Sequence, residues 1–285
     1  MHIAILTPIA VEYNAVQLHL NDIKKDRNPK GLYEVGTFET KLGNLSIVIQ
    51  QTGARNSNIA LATERIIELY NPNIVFLVGI AGGVKDVAIG DIVVATKTYG
   101  YESGKETIEG FKTRPEVYSF TMALQDLALS VSRENVWQKR QKRDKNTAQC
   151  QFGPIASGDK VISTKKTAFF SFLKTHYNDT KAIDMEASGF AEVFKRHPHI
   201  PFLCLRGISD LLEDKTISDD SGSQLLASDN VAAFTFELIA QLEKGDFSET
   251  HTSASKSTPP TQIINNNATI GTQINIQNNS GDINL

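Results

Sequence analysis

The sequence predicts an α/β protein whose sheet lies between helical layers. Three observations carry that reading. Short apolar runs at Ile3–Leu6, Ile74–Val78 and Ile92–Thr96 have the near-continuous hydrophobicity of strands covered on both faces. Segments with a helical apolar period, such as Ile59–Leu69 and Val231–Lys244, alternate with strand signals along the chain. The 285 residues are 40% hydrophobic and 21% charged, enough to bury a sizeable core.

The elements follow in order. After the strand at Ile3–Leu6, the segment from Glu12 to Ile23 spaces Val16, Leu20 and Ile23 as a helix would. Tyr33–Thr40 and Leu45–Gln50 alternate as paired strands around a Leu42-Gly43-Asn44 turn. The helix Ile59–Leu69 is stopped by Asn71-Pro72 and leads into Ile74–Val78. Phe120–Val131 and Thr167–His176 look helical, Met185–Arg196 is a further helix, Phe202–Arg206 a buried strand and Val231–Lys244 a last amphipathic helix. The organisation is a body of residues 1–245, a Ser/Thr/Pro-rich linker over 246–260 and a tail over 261–285. That tail holds seven Asn, three Gln and six Ile, with Asp282 as its only charged side chain.

A net charge of −3 argues against a chain that coats nucleic acid or an anionic membrane. The run Lys139-Arg140-Gln141-Lys142-Arg143-Asp144-Lys145 reads as a solvated helix end or loop, since no aromatic-rich surface accompanies it. Cys150 and Cys204 are the only cysteines, no His/Cys spacing suits zinc, and His197-Pro198-His199 reads as a surface loop, so no metal is expected. The first residues lack the basic n-region of a signal peptide, and no apolar run approaches the ~20 residues of a membrane span. The expectation is a cytoplasmic protein with neither a membrane nor a nucleic-acid partner.

Three apolar strands end in small or polar residues, where an α/β sheet presents ligands. Ile3–Leu6 leads to Glu12, Ile74–Val78 to Gly79-Ile80-Ala81-Gly82-Gly83, and Phe202–Arg206 to Gly207-Ile208-Ser209-Asp210. Singly, each has a plain structural reading. Glu12 suits the first turn of a helix, the glycine cluster is not a dinucleotide fingerprint and suits a tight turn, and Asp210 suits an N-cap or turn. Asp184-Met185-Glu186-Ala187 reads as an acidic, solvated helix start.

Taken in order, these segments resemble the nucleoside phosphorylase/nucleosidase superfamily, and within it most closely the methylthioadenosine/S-adenosylhomocysteine nucleosidases. The resemblance runs from Met1 to about Leu242. It is carried by Ile3–Leu6 with Glu12, by Val78–Gly83 with Gly90-Asp91-Ile92-Val93-Val94, by Ser157-Gly158-Asp159, and by Asp184–Ala187 with Arg206–Asp210. It implies a three-layer sandwich with a central twisted mixed sheet flanked by helices, a homodimer or higher homo-oligomer, and no cofactor.

The implied chemistry is rupture of a purine–ribose bond, which builds positive charge on the sugar and negative charge on the departing base. The resemblance gives Asp210 the proton donated at purine N7, a role that needs burial to keep the carboxyl protonated. It gives Glu12 the activation of water, and Glu186 the ribose hydroxyls, with Met185 on the sugar face. Val161 and Ile162 are implied to line the base pocket, and Arg206 and Ser209 to orient Asp210. A carboxylate at the nucleophile position repels inorganic phosphate. Hydrolysis is therefore favoured over the alternative, a phosphate-dependent phosphorylase.

Two positions depart from the family pattern. Ile80 stands where nucleosidases carry a small polar residue, and Arg55 replaces a glycine in Gly53-Ala54-Arg55-Asn56. Arg55 and Lys160 are candidate phosphate contacts, which would suit an adenine nucleotide as well as an adenine nucleoside. Some relatives in bacterial defence systems cleave ATP or related nucleotides, so the C5′ substituent stays open. The tail, with Ile263-Ile264-Asn265 and Gln273-Ile274-Asn275-Ile276-Gln277, resembles amyloid-forming signalling motifs of bacterial and fungal immune effectors. It implies a defence effector controlled by assembly, with a partner protein bearing a similar segment. A protein of assembly or signalling, in which catalysis is secondary, is the other reading.

Overall fold

The computed structural model describes residues 2–143, 145–212 and 222–243. The linker, the tail and Asp144 of the basic run lie outside the described residues, as does the last residue of the helix expected at Val231–Lys244.

The chain opens with β1 (His2–Thr7) and α1 (Ala10–Gln17), then β2 (Asn21–Asn28), β3 (Gly31–Thr40), β4 (Gly43–Gln51) and α2 (Asn56–Tyr70). β5 (Ile74–Gly83), β6 (Ile92–Gly100), β7 (Gly104–Thr107), β8 (Gly110–Thr113) and β9 (Glu116–Ser119) follow. Next come α3 (Met122–Glu134), a 3-10 turn at Val136–Arg140, β10 (Cys150–Ser157) and α4 (Ala168–His176). β11 (Ala182–Asp184), α5 (Ala187–Val193), β12 (Phe202–Asp210) and α6 (Ser223–Ala240) complete the described elements.

One twisted mixed sheet runs β11-β10-β6-β12-β5-β1-β4-β3-β2, with β9 on β6. β5 is parallel to β1 and β12 and, at its far end, antiparallel to β11. Because β11 also pairs with β10, strands β5, β12, β6, β10 and β11 close a ring. Helices flank the sheet in two groups. α1, α3 and α6 pack together on one side, and α2 packs on α5 on the other. α6 is buried almost throughout, which is why its sequence shows little amphipathic contrast. The β5 residues Ile74, Val75, Phe76, Leu77 and Val78 are all buried, each stabilising the fold by roughly 1.5–3 kcal/mol.

Several sequence expectations need correction. The helix expected over Glu12–Ile23 stops at Gln17, and the chain turns into β2, which hydrogen-bonds antiparallel to β3. Val16 and Leu20 do reach the core, but Ile23 sits exposed on the sheet edge. β2 escapes apolar pattern analysis because Asp22, Lys24, Lys25, Asp26 and Arg27 make it a charged edge, the composition that discourages pairing with another chain. The glycine cluster after Val78 is not a tight turn but the last stretch of β5. The helix expected at Met185 starts at Ala187, and the last helix starts at Ser223, eight residues ahead of Val231. The basic run is a solvated helix end as expected, with Lys139, Lys142, Arg143 and Lys145 exposed, and it is also anchored: the N–H groups of Lys142 and Arg143 donate to Asp229 of α6, and Arg140 pairs with Glu237. Trp137, just before it, is fully buried against Phe234. His197 faces Glu64, with Nε2 at 2.8 Å from Oε2.

Candidate active site

The ends of β5, β11 and β12 converge on a cavity of about 210 Å³. Ile80, Lys160, Val161, Ile162, Met185, Glu186, Ser209 and Asp210 all line it, together with Ile9, Ala54, Asp184, Leu212 and Gln224. Glu12 and Arg206 lie directly behind this lining, both buried.

Glu12 stands three residues into the turn that opens α1. Its Oε2 accepts the Ile9 N–H at 2.7 Å, so it does complete the helix start as an isolated first-turn acid would. Its other oxygen, Oε1, accepts the Ile80 N–H of β5 at 2.8 Å and ties the helix to the cavity wall. Burial pushes the Glu12 carboxyl up to about 8, outweighing the nearby Arg206 charge and the two backbone donors.

Arg206, on β12, is fully buried among acids. Nε donates to Asp184 Oδ2 at 2.9 Å, and Nη2 lies 2.6 Å from the same oxygen and 3.0 Å from Glu186 Oε2. The guanidinium thus holds the Asp184 and Glu186 carboxylates rather than orienting Asp210. Its Nη1 is buried with no partner among the described residues. Gly79 explains how Arg206 and Glu12 come so close. A Cβ at residue 79 would lie 2.1 Å from Arg206 Nη1 and 2.6 Å from Glu12 Oε1, so only glycine leaves both side chains their places.

Glu186 ends the turn before α5. Oε1 accepts the Arg55 N–H at 3.0 Å, Oε2 takes the Arg206 bond, and burial raises its carboxyl above the usual range. Asp184 caps α5 by accepting from the N–H groups of Glu186 and Ala187. The two acids read from sequence as a solvated helix start are therefore a buried ionic pair around Arg206.

Asp210 closes β12. The β5–β12 register shifts between Ile208 and Asp210, a bulge that sets Asp210 opposite Gly82 and turns its carboxyl toward the cavity. Oδ2 accepts from Ser209 Oγ at 3.1 Å and Oδ1 from the Leu212 N–H at 3.1 Å. Ser209 thus touches Asp210 as expected. Asp210 is a strand-end residue rather than a helix cap.

The two cationic candidates separate. Lys160 lines the cavity, but its Nζ lies 3.4 Å from Glu102 and its side chain is 70% exposed. Arg55 does not line the cavity. Its side chain is exposed, and its contribution is the backbone N–H, held at φ 96° where the sequence has no glycine. Asn56 was not legible in advance. Its Oδ1 accepts from Gly189 N and Ser157 Oγ, while its N–H and Nδ2 reach Asp159 Oδ1, so it joins α2, α5 and the end of β10. The partners lie up to 133 residues away, a distance no local pattern encodes.

The sequence profile of the phosphorylase superfamily matches residues 2–240. The 5′-methylthioadenosine/S-adenosylhomocysteine nucleosidase of Haemophilus influenzae (strain PittEE) is 26% identical over 233 residues, spanning 78% of this chain and 93% of that protein. The enzyme of the same name from Exiguobacterium sp. is 29% identical over 218 residues, or 73% of this chain and 85% of that one. Among solved structures, a Helicobacter pylori 5′-methylthioadenosine/S-adenosylhomocysteine nucleosidase superposes with a TM-score of 0.71 at 22% identity, covering 85% of this chain and 99% of its own. A mutant of the H. pylori futalosine hydrolase superposes equally well, with a TM-score of 0.71 at 22% identity over 85% of this chain and 100% of its own. At these identities the superpositions establish the fold alone. With the profile spanning the sheet and its carboxylate-lined cavity, the chain belongs to the phosphorylase superfamily.

Proposed function

We propose that the chain is an N-ribosyl hydrolase that releases adenine from an adenine nucleoside or nucleotide. The observation that carries this reading is the set of Glu12, Glu186 and Asp210 around one cavity, with Arg206 buried between the first two. Rupture of the C1′–N9 bond sends its electron pair into the base, and Asp210 supplies a proton at N7 so that adenine departs neutral. Positive charge on the sugar is met by the acidic wall. Glu12 Oε1 and Arg206 Nη1 converge over Gly79 as an acceptor and a donor for the attacking water. The oxygen of water bonds to C1′, one of its protons passes to Glu12, and the other stays on the new C1′ hydroxyl. A group pushed up to about 8 is suited to take that proton near neutral pH. Glu186 accepts from the ribose hydroxyls. The curated relatives carry nucleosidase names, which supports hydrolysis over phosphorolysis. Three carboxylates facing one exposed lysine oppose a phosphate nucleophile electrostatically.

The test is incubation of the purified protein with adenosine, methylthioadenosine, S-adenosylhomocysteine, AMP and ATP, each with and without phosphate, with free base followed by chromatography. Adenine with free ribose or its 5′-substituted form is expected. Ribose 1-phosphate formed only with added phosphate overturns the hydrolase reading. Asp210→Asn should lower turnover by about 10²–10⁴-fold, and activity within threefold of the parent removes Asp210 from its role.

The composition of residues 261–285 supports a self-assembly segment joined by the linker to the catalytic body. A synthetic 261–285 peptide that stays monomeric and dye-negative after seeding sinks that part of the reading. The protein truncated after Gly245 is expected to keep its adenine release.

A further inference from the structure

Two segments reach the catalytic cavity from opposite sides. Residues 158–162 leave the end of β10 and bring Lys160, Val161 and Ile162, while the turn before α5 brings Met185 and Glu186. On the proposed reaction these are the base and ribose contacts, so their separation must match the nucleoside. One side chain bridges the two segments: Asn56, the first residue of α2.

Asn56 uses both ends of its amide. Oδ1 accepts the Gly189 N–H of α5 at 2.7 Å and the Ser157 hydroxyl at 3.2 Å. Nδ2 donates to Asp159 Oδ1 at 3.1 Å, and the Asn56 backbone N–H donates to the same oxygen at 3.0 Å. Ser157 Oγ accepts the Ser188 N–H at 3.1 Å, which leaves its own proton for Asn56. These partners settle the orientation of the amide. Reversed, it would set an NH₂ against the Gly189 N–H and an oxygen against a carboxylate.

The backbone around Asn56 is equally close-fitting. A Cβ at residue 189 would lie 2.1 Å from the Asn56 carbonyl oxygen. In the same first turn, the Arg55 N–H holds Glu186 Oε1 at 3.0 Å. Consecutive N–H groups thus hold Glu186 on one side and Asp159 on the other. Glu102 Oε2 accepts the Asp159 N–H at 2.8 Å and fixes the loop from beyond. An amide is the side chain this place requires, since a carboxylate at residue 56 keeps the acceptor for Gly189 but meets Asp159 with like charge.

We propose that Asn56 is a positioning residue that locks residues 158–162 to the turn bearing Glu186 and so sets the distance between the base and ribose contacts. Asn56 does not line the cavity and acts through Asp159, Gly189 and Ser157. The ligand and kinetic readouts below rest on the hydrolase reading, whereas the lock itself does not.

The test compares Asn56→Asp, Asp159→Asn and the double variant of the full chain. In Asp159→Asn the amide oxygen still accepts from residue 56, and changes within about twofold are expected. Asn56→Asp should speed exchange of the Gly158 and Asp159 amides, read by NMR, at least about tenfold, and leave the Gly189 amide protected by the retained oxygen. It should also weaken calorimetric binding of adenine at least about fivefold. With whichever adenine substrate the parent cleaves, KM should rise by a similar factor and kcat stay within about twofold, because Glu12 and Asp210 are untouched. The double variant restores a donor at residue 159 for an acceptor at residue 56, and should return exchange, affinity and KM to within about twofold of the parent. Parental exchange in Asn56→Asp, faster exchange with unchanged adenine affinity, a loss confined to kcat, or a double variant no better than Asn56→Asp each overturns the proposal. A parent that neither binds nor releases adenine fails the hydrolase reading instead, and the exchange of Gly158 and Asp159, with its rescue in the double variant, then decides the lock.

Discussion

The two walls of the catalytic cavity are built on opposite principles. On the proposed function, the wall at the sugar end is ionic: Glu12, Asp184 and Glu186 surround Arg206, all buried, and Asp184 and Glu186 take charge-assisted hydrogen bonds from its guanidinium. The wall at the base end is a strand terminus, where Asp210 rests on one serine hydroxyl and one backbone N–H beside the apolar Val161 and Ile162. In the first wall, breaking the Arg206 contact with Asp184 or Glu186 strands a buried charge. The second is set by backbone geometry, by the bulge before Asp210. On the proposed function, the difference teaches that stabilising a developing cation takes fixed charges, whereas protonating a base takes one acid held at a set angle.

Four substitutions and a pH profile can break or sharpen this contrast. Glu12→Gln should have the largest effect on rate, lowering kcat by about 10²–10⁴-fold through loss of the proton acceptor. It should also stabilise the fold in a pH-dependent way. The Glu12 carboxyl has an ordinary value of 4.5 and stands near 8 in the fold. Between those values the folded state holds a proton that the unfolded chain releases, so parental stability declines as pH rises through that window. The Tm advantage of Glu12→Gln is therefore expected to grow from pH 5 to pH 8. A constant Tm difference across that range would show that Glu12 is not pushed upward.

Gly79→Ala ranks next. The added methyl forces Glu12 and Arg206 apart, and displacements of this order cost about 10²-fold in rate. The same substitution leaves the base wall untouched, so KM for the adenine moiety should move little. A wild-type kcat in this variant would separate Glu12 and Arg206 from the attacking water.

Arg206→Met should act chiefly on stability, costing about 3–5 kcal/mol by leaving Asp184 and Glu186 buried without their cation. Chemical denaturation measures this directly. A loss of only a few tenths of a kcal/mol would mean that the ionic wall is more solvated than its burial indicates.

The parent's pH profile gives a smaller, continuous effect. If Glu12 must be ionised to accept the proton, kcat/KM should rise with pH by about tenfold per unit below its value near 8 and then level off. A flat profile from pH 5 to pH 8 would assign proton acceptance elsewhere. Lys160→Ala should have the smallest effect, changing KM for adenosine by less than about threefold, as expected of an exposed charge already facing Glu102. A larger rise in KM confined to AMP or ATP would make Lys160 a phosphate contact.

What sequence could and could not reveal follows the same division. The strands that carry the site, at Ile3–Leu6, Ile74–Val78 and Phe202–Arg206, were legible because both faces of each are buried and, Arg206 apart, the residues are apolar. β2 was not, since an exposed edge strand has no apolar face to reveal its period. β11 is three residues long and too short for any pattern. Glu12, Glu186 and Asp210 could be placed by resemblance, yet the contacts around them could not. The resemblance implied that Arg206 supports Asp210, and its partners proved to be Asp184 at the end of β11 and Glu186 in the turn before α5. Asp184 went unassigned because an acid opening a helix is common on surfaces, and only burial distinguishes this one.

One strand deserves a last inference. β5 pairs directly with β1, β11 and β12, the three strands that lead to Glu12, to Asp184 and Glu186, and to Asp210. Gly82 alone faces both Ile183 and Asp210 in register, and the Ile80 N–H reaches Glu12. In a machinist's terms, every acid is measured from a common datum, and none is located through a chain of intermediate parts. Positional errors in the outer strands and helices therefore do not accumulate at the cavity. Insertions in the β7–β8 hairpin or in the β2 edge can drift through evolution without detuning the site, whereas a one-residue slip along β5 would displace all the acids together.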